Sequence, residues 1–291
     1  MTHLIQGDSV DKMKALEDNS VNLVLTDPPY NICHRSLDWD KKRRDYVDFM
    51  IIIFKEAYRV LTKKGSLYFF HNDFKQMAQL QVDIESKTNF KFQRLITLTK
   101  DSYITKLYPN CKSWINCCEY VLVYVKDEIR EEKQIEYFIQ LHKAIGKSKS
   151  TIRKDIPHAD HCFRVSKSNF ALPTQETYDK IISLYDLKDT KDLEELRELK
   201  YPINYVYNGK SQANYLHVDF KKGKMTTHPC EKPQALLMNL IKTASNENDV
   251  VLDMFMGCGS TGIACKSSNR QFIGIELDPH YFEEAERNIT G

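Results

Sequence analysis

The segment that most restricts the fold is Val250-Val-Leu-Asp253-Met-Phe-Met-Gly257-Cys-Gly259-Ser-Thr261. A short apolar run rich in β-branched residues breaks at two glycines and resumes in residues that suit a helix. Such a pattern reads as buried strand, tight turn and helix over residues 260–268. A second apolar run, Gln271-Phe-Ile-Gly-Ile275, follows as the next strand. Strand, crossover helix and strand make a parallel unit, and a parallel sheet must be covered on both faces. Glycines at the turn let a ligand approach the backbone closely, at the carboxyl end of a strand where open α/β sheets place their sites.

The same alternation runs from residue 1 to about 125. Leu4-Ile5 leads through Gly7-Asp8 to a short helix ending near Leu16, and Val21 to Leu25 is a strand. Apolar spacing predicts a helix over 45–62 closing at Lys63-Lys64-Gly65, then a strand at 66–70, a helix at 74–85 and strands at 92–98 and 119–125. From 126 to 215 the rhythm fails, and the segment is polar and rich in Lys, Tyr and Asn. Within it, 139–145, Gly146-Lys-Ser and 151–156 read as helix, turn, helix, with Ser148 or Ser150 as cap. Alternation resumes with a helix from Pro233 to Ala244, the strand 249–253 and a final helix over 279–289. The expected fold is therefore α/β. It has a single Rossmann-like, mostly parallel twisted sheet with helices on both faces, built from 1–125 and 216–291, and a mainly helical insertion at 126–215.

Composition narrows the function classes. A net charge of +2 over 291 residues excludes a uniformly basic nucleic-acid binder, so any such contact must come from local patches. Candidates are Lys41, Arg43 and Arg44 in one run and Lys149, Arg153 and Lys154 in another. No apolar stretch reaches membrane-spanning length, and no signal-peptide layout stands at the first residues, so a cytoplasmic location is expected. Eight scattered cysteines read as reduced thiols. His158, His161 and Cys162 cluster, but a fourth ligand and a partner pair are missing, so no metal is expected.

The second informative segment is Asp27-Pro28-Pro29-Tyr30, at the carboxyl end of the strand Val21 to Leu25. An exocyclic amine on an aromatic base is a weak nucleophile because its lone pair is delocalised. Two acceptors on its N–H bonds help to rehybridise the nitrogen. The Asp27 carboxylate offers one acceptor and the Pro28 carbonyl the other. Pro28 and Pro29 stiffen the wall and remove donors, and Tyr30 offers a stacking face. An amine committed to base pairing must first leave the duplex. On the glycine side, Glu276 follows the glycines by about twenty residues, the spacing of a carboxylate that accepts ribose hydroxyls. That arrangement serves a dinucleotide or S-adenosylmethionine. The missing third glycine of the dinucleotide fingerprint weakens the redox reading.

Together these residues resemble the beta-class, permuted DNA amino-methyltransferases, over nearly the whole chain outside the middle segment. In that family the catalytic tetrapeptide comes first, target recognition lies between, and the cofactor turn comes last. The resemblance implies adenine-N6 methylation with S-adenosyl-L-methionine as cofactor. It implies Asp27, Pro28, Pro29 and Tyr30 as the catalytic set. Asp8, Asp27, Lys232, Asp253, Phe255, Gly257, Gly259, Ser260, Thr261 and Glu276 would be the cofactor residues, with Asp8 near the adenine and Glu276 on the ribose. The helix-opening run Thr227-His-Pro-Cys-Glu-Lys232-Pro233 resembles the family's motif at the methionine end of the cofactor. Double-stranded DNA is the implied partner, and a homodimer and a cognate restriction endonuclease are admitted. Met254, Cys258 and Leu98 depart from the family's usual Pro, Ser and Trp, and none removes an acceptor.

Rival readings remain at this point. Cytosine-N4 methylation uses the same chemistry. Methylation of RNA or of a protein glutamine amide is disfavoured by the motif order. A catalytically silent DNA-binding regulator is disfavoured by intact Asp27, Tyr30 and glycines, and a nicotinamide oxidoreductase is the weakest rival.

Overall fold

The computed structural model describes residues 2–31, 43–100, 117–126, 130–157, 159–164, 173, 175–187, 206–207, 210–211, 214–219 and 231–291. Lys41, His158 and residues 227–230 lie outside the described residues, as does the side chain of His161. The chain forms two compact units: Met1–Asp127 with Pro202–Gly291, and Glu128–Tyr201.

In the first unit the chain runs β1 (Thr2–Gln6), α1 (Ser9–Met13), β2 (Val21–Thr26), α2 (Tyr46–Val60), β3 (Leu61–His71), α3 (Phe74–Lys87), β4 (Lys91–Lys100) and β5 (Cys118–Val125). The second unit holds α4 (Arg130–Ile145), α5 (Lys149–Asp155), a 3-10 turn (Ala159–Phe163) and α6 (Gln175–Leu184). The first unit then resumes with β6 (Val206–Tyr207), β7 (Lys210–Ser211), β8 (Tyr215–Val218), α7 (Gln234–Ala244), β9 (Val250–Asp253), α8 (Ser260–Ser267), β10 (Gln271–Glu276) and α9 (Pro279–Thr290).

Eight of these strands form one sheet in the order β1-β10-β9-β2-β3-β5-β4-β8. Every neighbouring pair is parallel except β3–β5 and β5–β4. Side chains on β2 and β3 alternate between two apolar layers, as the two-residue strand period requires. Val24, Leu67 and Phe69 join Met50, Ile53 and Phe54 of α2 and Leu80 and Ile84 of α3. Leu23, Leu25, Tyr68 and Phe70 join Leu237, Leu240 and Ile241 of α7, Ala264 of α8 and Ile289 of α9. Both faces are thus covered, which explains why these strands read as continuous apolar runs rather than alternating ones.

Most boundaries fall within a residue or two of the sequence expectation, and two differences are informative. The helix expected to close at 63–65 ends at Val60, and Leu61 is already extended, with φ −65° and ψ 137°. Val21 pairs with Leu61, but the next registered pair is Leu23 with Ser66. Residues 62–65 therefore bulge from the ladder, and their polarity looks like a loop only because they sit at that irregularity. The other difference is β8, which lies parallel to β4. Its four residues follow a polar segment and carry no alternation long enough to read.

In the second unit, Ser148 caps α5, its hydroxyl accepting from the Thr151 N–H at 3.2 Å, and Gly146 turns the chain with φ +64°. Leu141, Ile152, Phe163 and Ile181 close a separate apolar core. Lys149, Arg153 and Lys154 lie exposed on α5. Among the described residues the cysteines at 162 and 265 are buried free thiols, and no group of three or more His, Cys, Asp or Glu is placed to hold a metal ion. Among the same residues no helix is long and apolar enough to cross a membrane.

Phe54 is fully buried while Ile52, two positions earlier on α2, is 50% exposed. Phe54→Ala is expected to lower unfolding free energy by about 3–5 kcal/mol through loss of contacts and a residual cavity. Ile52→Ala should stay within about 0.5 kcal/mol. Urea titrations of the two variants check the contrast; equal effects would show that α2 packs by another face.

Candidate active site

β2 and β9 are parallel neighbours, with Leu23 beside Val251 and Val24 beside Leu252. Both therefore release their chains at the same edge of the sheet. Asp27-Pro28-Pro29-Tyr30 leaves from β2 and the glycine turn leaves from β9. The buried Asp253 carboxylate joins them. Its Oδ1 accepts from the Thr26 hydroxyl at 2.8 Å and from the Phe255 N–H at 3.1 Å, and its Oδ2 accepts from the Thr261 hydroxyl at 2.6 Å. Burial pushes this carboxyl up to about 6, against the pull of its donors. With its oxygens committed to protein donors, Asp253 acts here as the brace of the turn.

The glycines have local reasons. Gly257 sits at φ +52° and Gly259 at φ +88°, backbone that side-chain-bearing residues rarely adopt. A Cβ at 259 would also stand 2.8 Å from Ile289 Cδ1 of α9. The Gly257 N–H donates to Glu276 Oε2 at 2.9 Å, and the Asp278 N–H donates to Oε1 at 2.8 Å. Glu276 is the last residue of β10, so sheet and turn together aim its carboxylate. Each oxygen keeps a second lone-pair direction for a ligand hydroxyl. Burial raises its pKa above the usual range.

Between the two loops lies a cavity of about 240 Å³. It is lined by Asp8, Asp27, Pro29, Arg43, Lys232, Asp253, Phe255, Gly257, Ser260, Thr261 and Glu276 among the residues singled out from sequence. Asp8 also caps α1, accepting from the Val10 N–H at 2.9 Å. Pro28, Tyr30 and Gly259 are not part of the wall. Arg43, read as a nucleic-acid contact, stands over the Phe49 ring at 4.2 Å and pairs with Asp45 at the rim; Arg44 is exposed. Sequence reasoning missed Asn31, Tyr46, Phe49, Glu231, Leu277 and Tyr281 in this wall. Tyr46 and Phe49 fall in the helix expected over 45–62, Glu231 stands in the helix-opening run beside Lys232, and no local pattern marks Asn31, Leu277 or Tyr281.

Asp27 carries two close donors. Tyr30 gives its hydroxyl to Oδ1 at 2.6 Å, and Lys232 gives its ammonium to Oδ2 at 2.6 Å. Burial raises the Asp27 pKa, with Lys232 and Tyr30 pulling it back. The Tyr30 ring stacks on His71 at 5.0 Å and 24°. The sequence reading had Tyr30 as a stacking platform, and His71 is the support it did not foresee. His71 Nδ1 lies 3.0 Å from the Asn72 N–H and 3.1 Å from the Asp73 N–H, so it accepts and carries no proton. The ring is therefore neutral with its proton on Nε2, 3.2 Å from the Tyr46 hydroxyl. Gln76 completes the support, donating to the Tyr30 carbonyl at 3.0 Å.

Comparison with known proteins is decisive at the family level. The family model described as DNA methylase, N6_N4_Mtase, matches residues 21–287. The chain belongs to this family. Among relatives of the methylase, the DNA adenine methyltransferase YhdJ of Escherichia coli K12 is 26% identical, covering 98% of this chain and 82% of the relative. The structure of PvuII DNA methyltransferase, titled cytosine-N4-specific, aligns with a TM-score of 0.62 at 14% identity, over 99% of this chain and 86% of that one. The TTHA0409 protein of Thermus thermophilus, solved with S-adenosyl-L-methionine, aligns at 0.58 and 20% identity, over 100% and 93%. At these identities the structures show that the methylase has their fold.

Burial lowers the His71 pKa from 6.5 to about 4. The unfolded chain therefore binds a proton that the native methylase refuses between those values. The contribution is complete above pH 6.5 and is lost as pH falls through the window, amounting to about 3 kcal/mol by pH 4. His71→Asn retains an acceptor but cannot charge. Denaturant unfolding at pH 7 and 4.5 should show a smaller acid loss for the variant; equal losses would mean that His71 is protonated in the native state.

Proposed function

We propose that this methylase transfers a methyl group from S-adenosyl-L-methionine to N6 of an adenine flipped out of duplex DNA. The observation that carries the reading is the placement of Asp27 and the Gly257–Gly259 turn at adjacent parallel strand ends, facing one cavity. The cavity suits that cofactor: the Glu276 carboxylate for ribose hydroxyls, the half-buried Phe255 in the wall, and backbone bare of a side chain at Gly257. Asp8 serves the adenine end, Lys232 the methionine end, and Ser260 and Thr261 the start of α8, with Asp253 and Gly259 fixing the turn. When bound, the cofactor supplies an electrophilic methyl carbon.

The protein's part is positioning and charge. Asp27 and the Pro28 carbonyl accept the two N–H bonds of the target amine, leaving its lone pair directed at the methyl carbon. No covalent bond to the protein is needed, so orientation and fixed dipoles carry the acceleration. After transfer the nitrogen releases a proton, and a carboxylate whose pKa is raised by burial is suited to take it. The Tyr30 ring, supported by His71, is the stacking face for the extruded base. Lys41, Arg43, Arg44, Lys149, Arg153 and Lys154 are the proposed phosphate contacts. The setting we propose is cytoplasmic, with a homodimer and a cognate restriction endonuclease as partners that copurification would reveal.

Adenine is favoured over cytosine because Asp stands at position 27, the residue the family associates with adenine, and because YhdJ, similar over nearly the whole chain, is named an adenine methyltransferase. Incubation with cofactor and unmethylated DNA, digestion to nucleosides and mass analysis should yield N6-methyl-2′-deoxyadenosine. Appearance of N4-methylcytosine alone would replace the adenine reading. Asp27→Ala should cut methyl transfer by at least about 100-fold while leaving cofactor affinity within about threefold. An active variant would refute the assigned mechanism.

A further inference from the structure

Asp27 holds a strong donor on each oxygen, and the ammonium of Lys232 is the stronger of the two. An ammonium at 2.6 Å withdraws the charge that makes a carboxylate a good acceptor. On the proposed methyl-transfer reading, the target amine must compete for that oxygen, so Lys232 needs somewhere else to go. Its side chain is only 7% exposed, which rules out a simple move into water without loss of its solvation or pairing.

The neighbouring element supplies an alternative. Glu119 on β5 is buried, and its Oε2 stands 3.6 Å from the Lys232 ammonium with no hydrogen-bond partner among the described residues. The other oxygen, Oε1, is held by Lys100 of β4 at 2.6 Å. Burial disfavours charge on Glu119, but Lys232 and Lys100 outweigh it and hold the carboxyl below its ordinary range. Beneath the ammonium lie the rings of Phe70 at 5.1 Å and Tyr30 at 5.6 Å, faces that a cation can slide across. A displacement of about 1 Å would turn the 3.6 Å approach into a full hydrogen bond.

We infer that Glu119 is a positioning residue that receives the Lys232 ammonium when the target amine takes its place on Asp27. The exchange keeps two ammonium groups and two carboxylates in the cluster throughout, and Asp27 accepts from the amine and from the Tyr30 hydroxyl while the displaced ammonium stays about 1 Å from its first position. Lys100 fixes Glu119 in the orientation that leaves Oε2 turned toward Lys232. Because no bond to the protein is made or broken, the exchange adds no step to the chemistry. It controls whether Asp27 is available.

The test uses the full chain, tritiated S-adenosyl-L-methionine and DNA from a methylation-deficient host. Glu119→Gln keeps the shape but removes the charge, which strands Lys232 on Asp27. Single-turnover methyl transfer at saturating DNA should fall at least about tenfold, with cofactor affinity by calorimetry and DNA retention near wild type. Glu119→Asp, which restores a carboxylate, should recover part of that rate. A merely structural ion pair would instead weaken cofactor binding and transfer together, and that result overturns the inference. So does a Glu119→Gln variant that transfers at the wild-type rate. Should Glu119→Gln fail to fold, Glu119→Asp decides alone: a wild-type rate overturns the handover, and a slowed rate with normal cofactor affinity supports it. A wild-type chain inert on that DNA would overturn the methyl-transfer reading, and the handover with it.

Discussion

Thr26, Asp253 and Thr261 form a hydrogen-bonded junction on which the geometry of the site depends. Thr26 is the residue just before Asp27, and Thr261 lies in the first turn of α8. One buried carboxylate thus fixes the exit angle of the tetrapeptide and the entry of the cofactor-side helix at the same time. The two loops are separated by more than two hundred residues of sequence, yet their relative position is set by two hydrogen bonds and a strand pairing. Reaction between groups held this way gains most when their spacing varies little, because orientation is a large part of the barrier. The same logic explains the donors on Glu276, which is aimed by two backbone N–H groups rather than left to rotate.

Around this junction the polar groups form two kinds of network. Asp253, Glu276 and His71 are held by donors or acceptors of the main chain and of hydroxyls, and they do not change partners without breaking the turn. Asp27, Lys232, Glu119 and Lys100 are linked by charge-assisted side-chain contacts, one of them long. Fixed dipoles suit a scaffold. Mobile charges between two acceptors suit a site that must first be closed and then made available to a substrate.

Much of this was legible in the sequence, for identifiable reasons. The strands Val21–Thr26 and Val250–Asp253 are short apolar runs ended by chemistry, and buried parallel strands have that signature. The glycines at 257 and 259 announce a turn because the backbone there needs positive φ. What escaped was set by tertiary contact. Glu119 looks like the polar start of a strand until β4 brings Lys100 beside it. His71 looks like the end of a strand until Tyr30 folds onto it. Residues 62–65 look like a loop because a bulge places polar residues in a ladder. Asp253 reads by family habit as a ligand contact, and only its three donors show what occupies its oxygens.

The strand order has a further consequence for how the molecule is made. Among the described residues β1 is paired only with β10, and β2 has β9 on one side, so these strands wait for partners more than two hundred residues later in the chain. Until residues 234–267 have left the ribosome, Leu23, Leu25, Tyr68 and Phe70 have no complete layer of α7 and α8 above them. The nascent chain must carry a half-covered sheet for most of translation. That favours late, cooperative closure over stepwise growth from the first residue, and gives chaperones a long interval in which to engage the uncovered face.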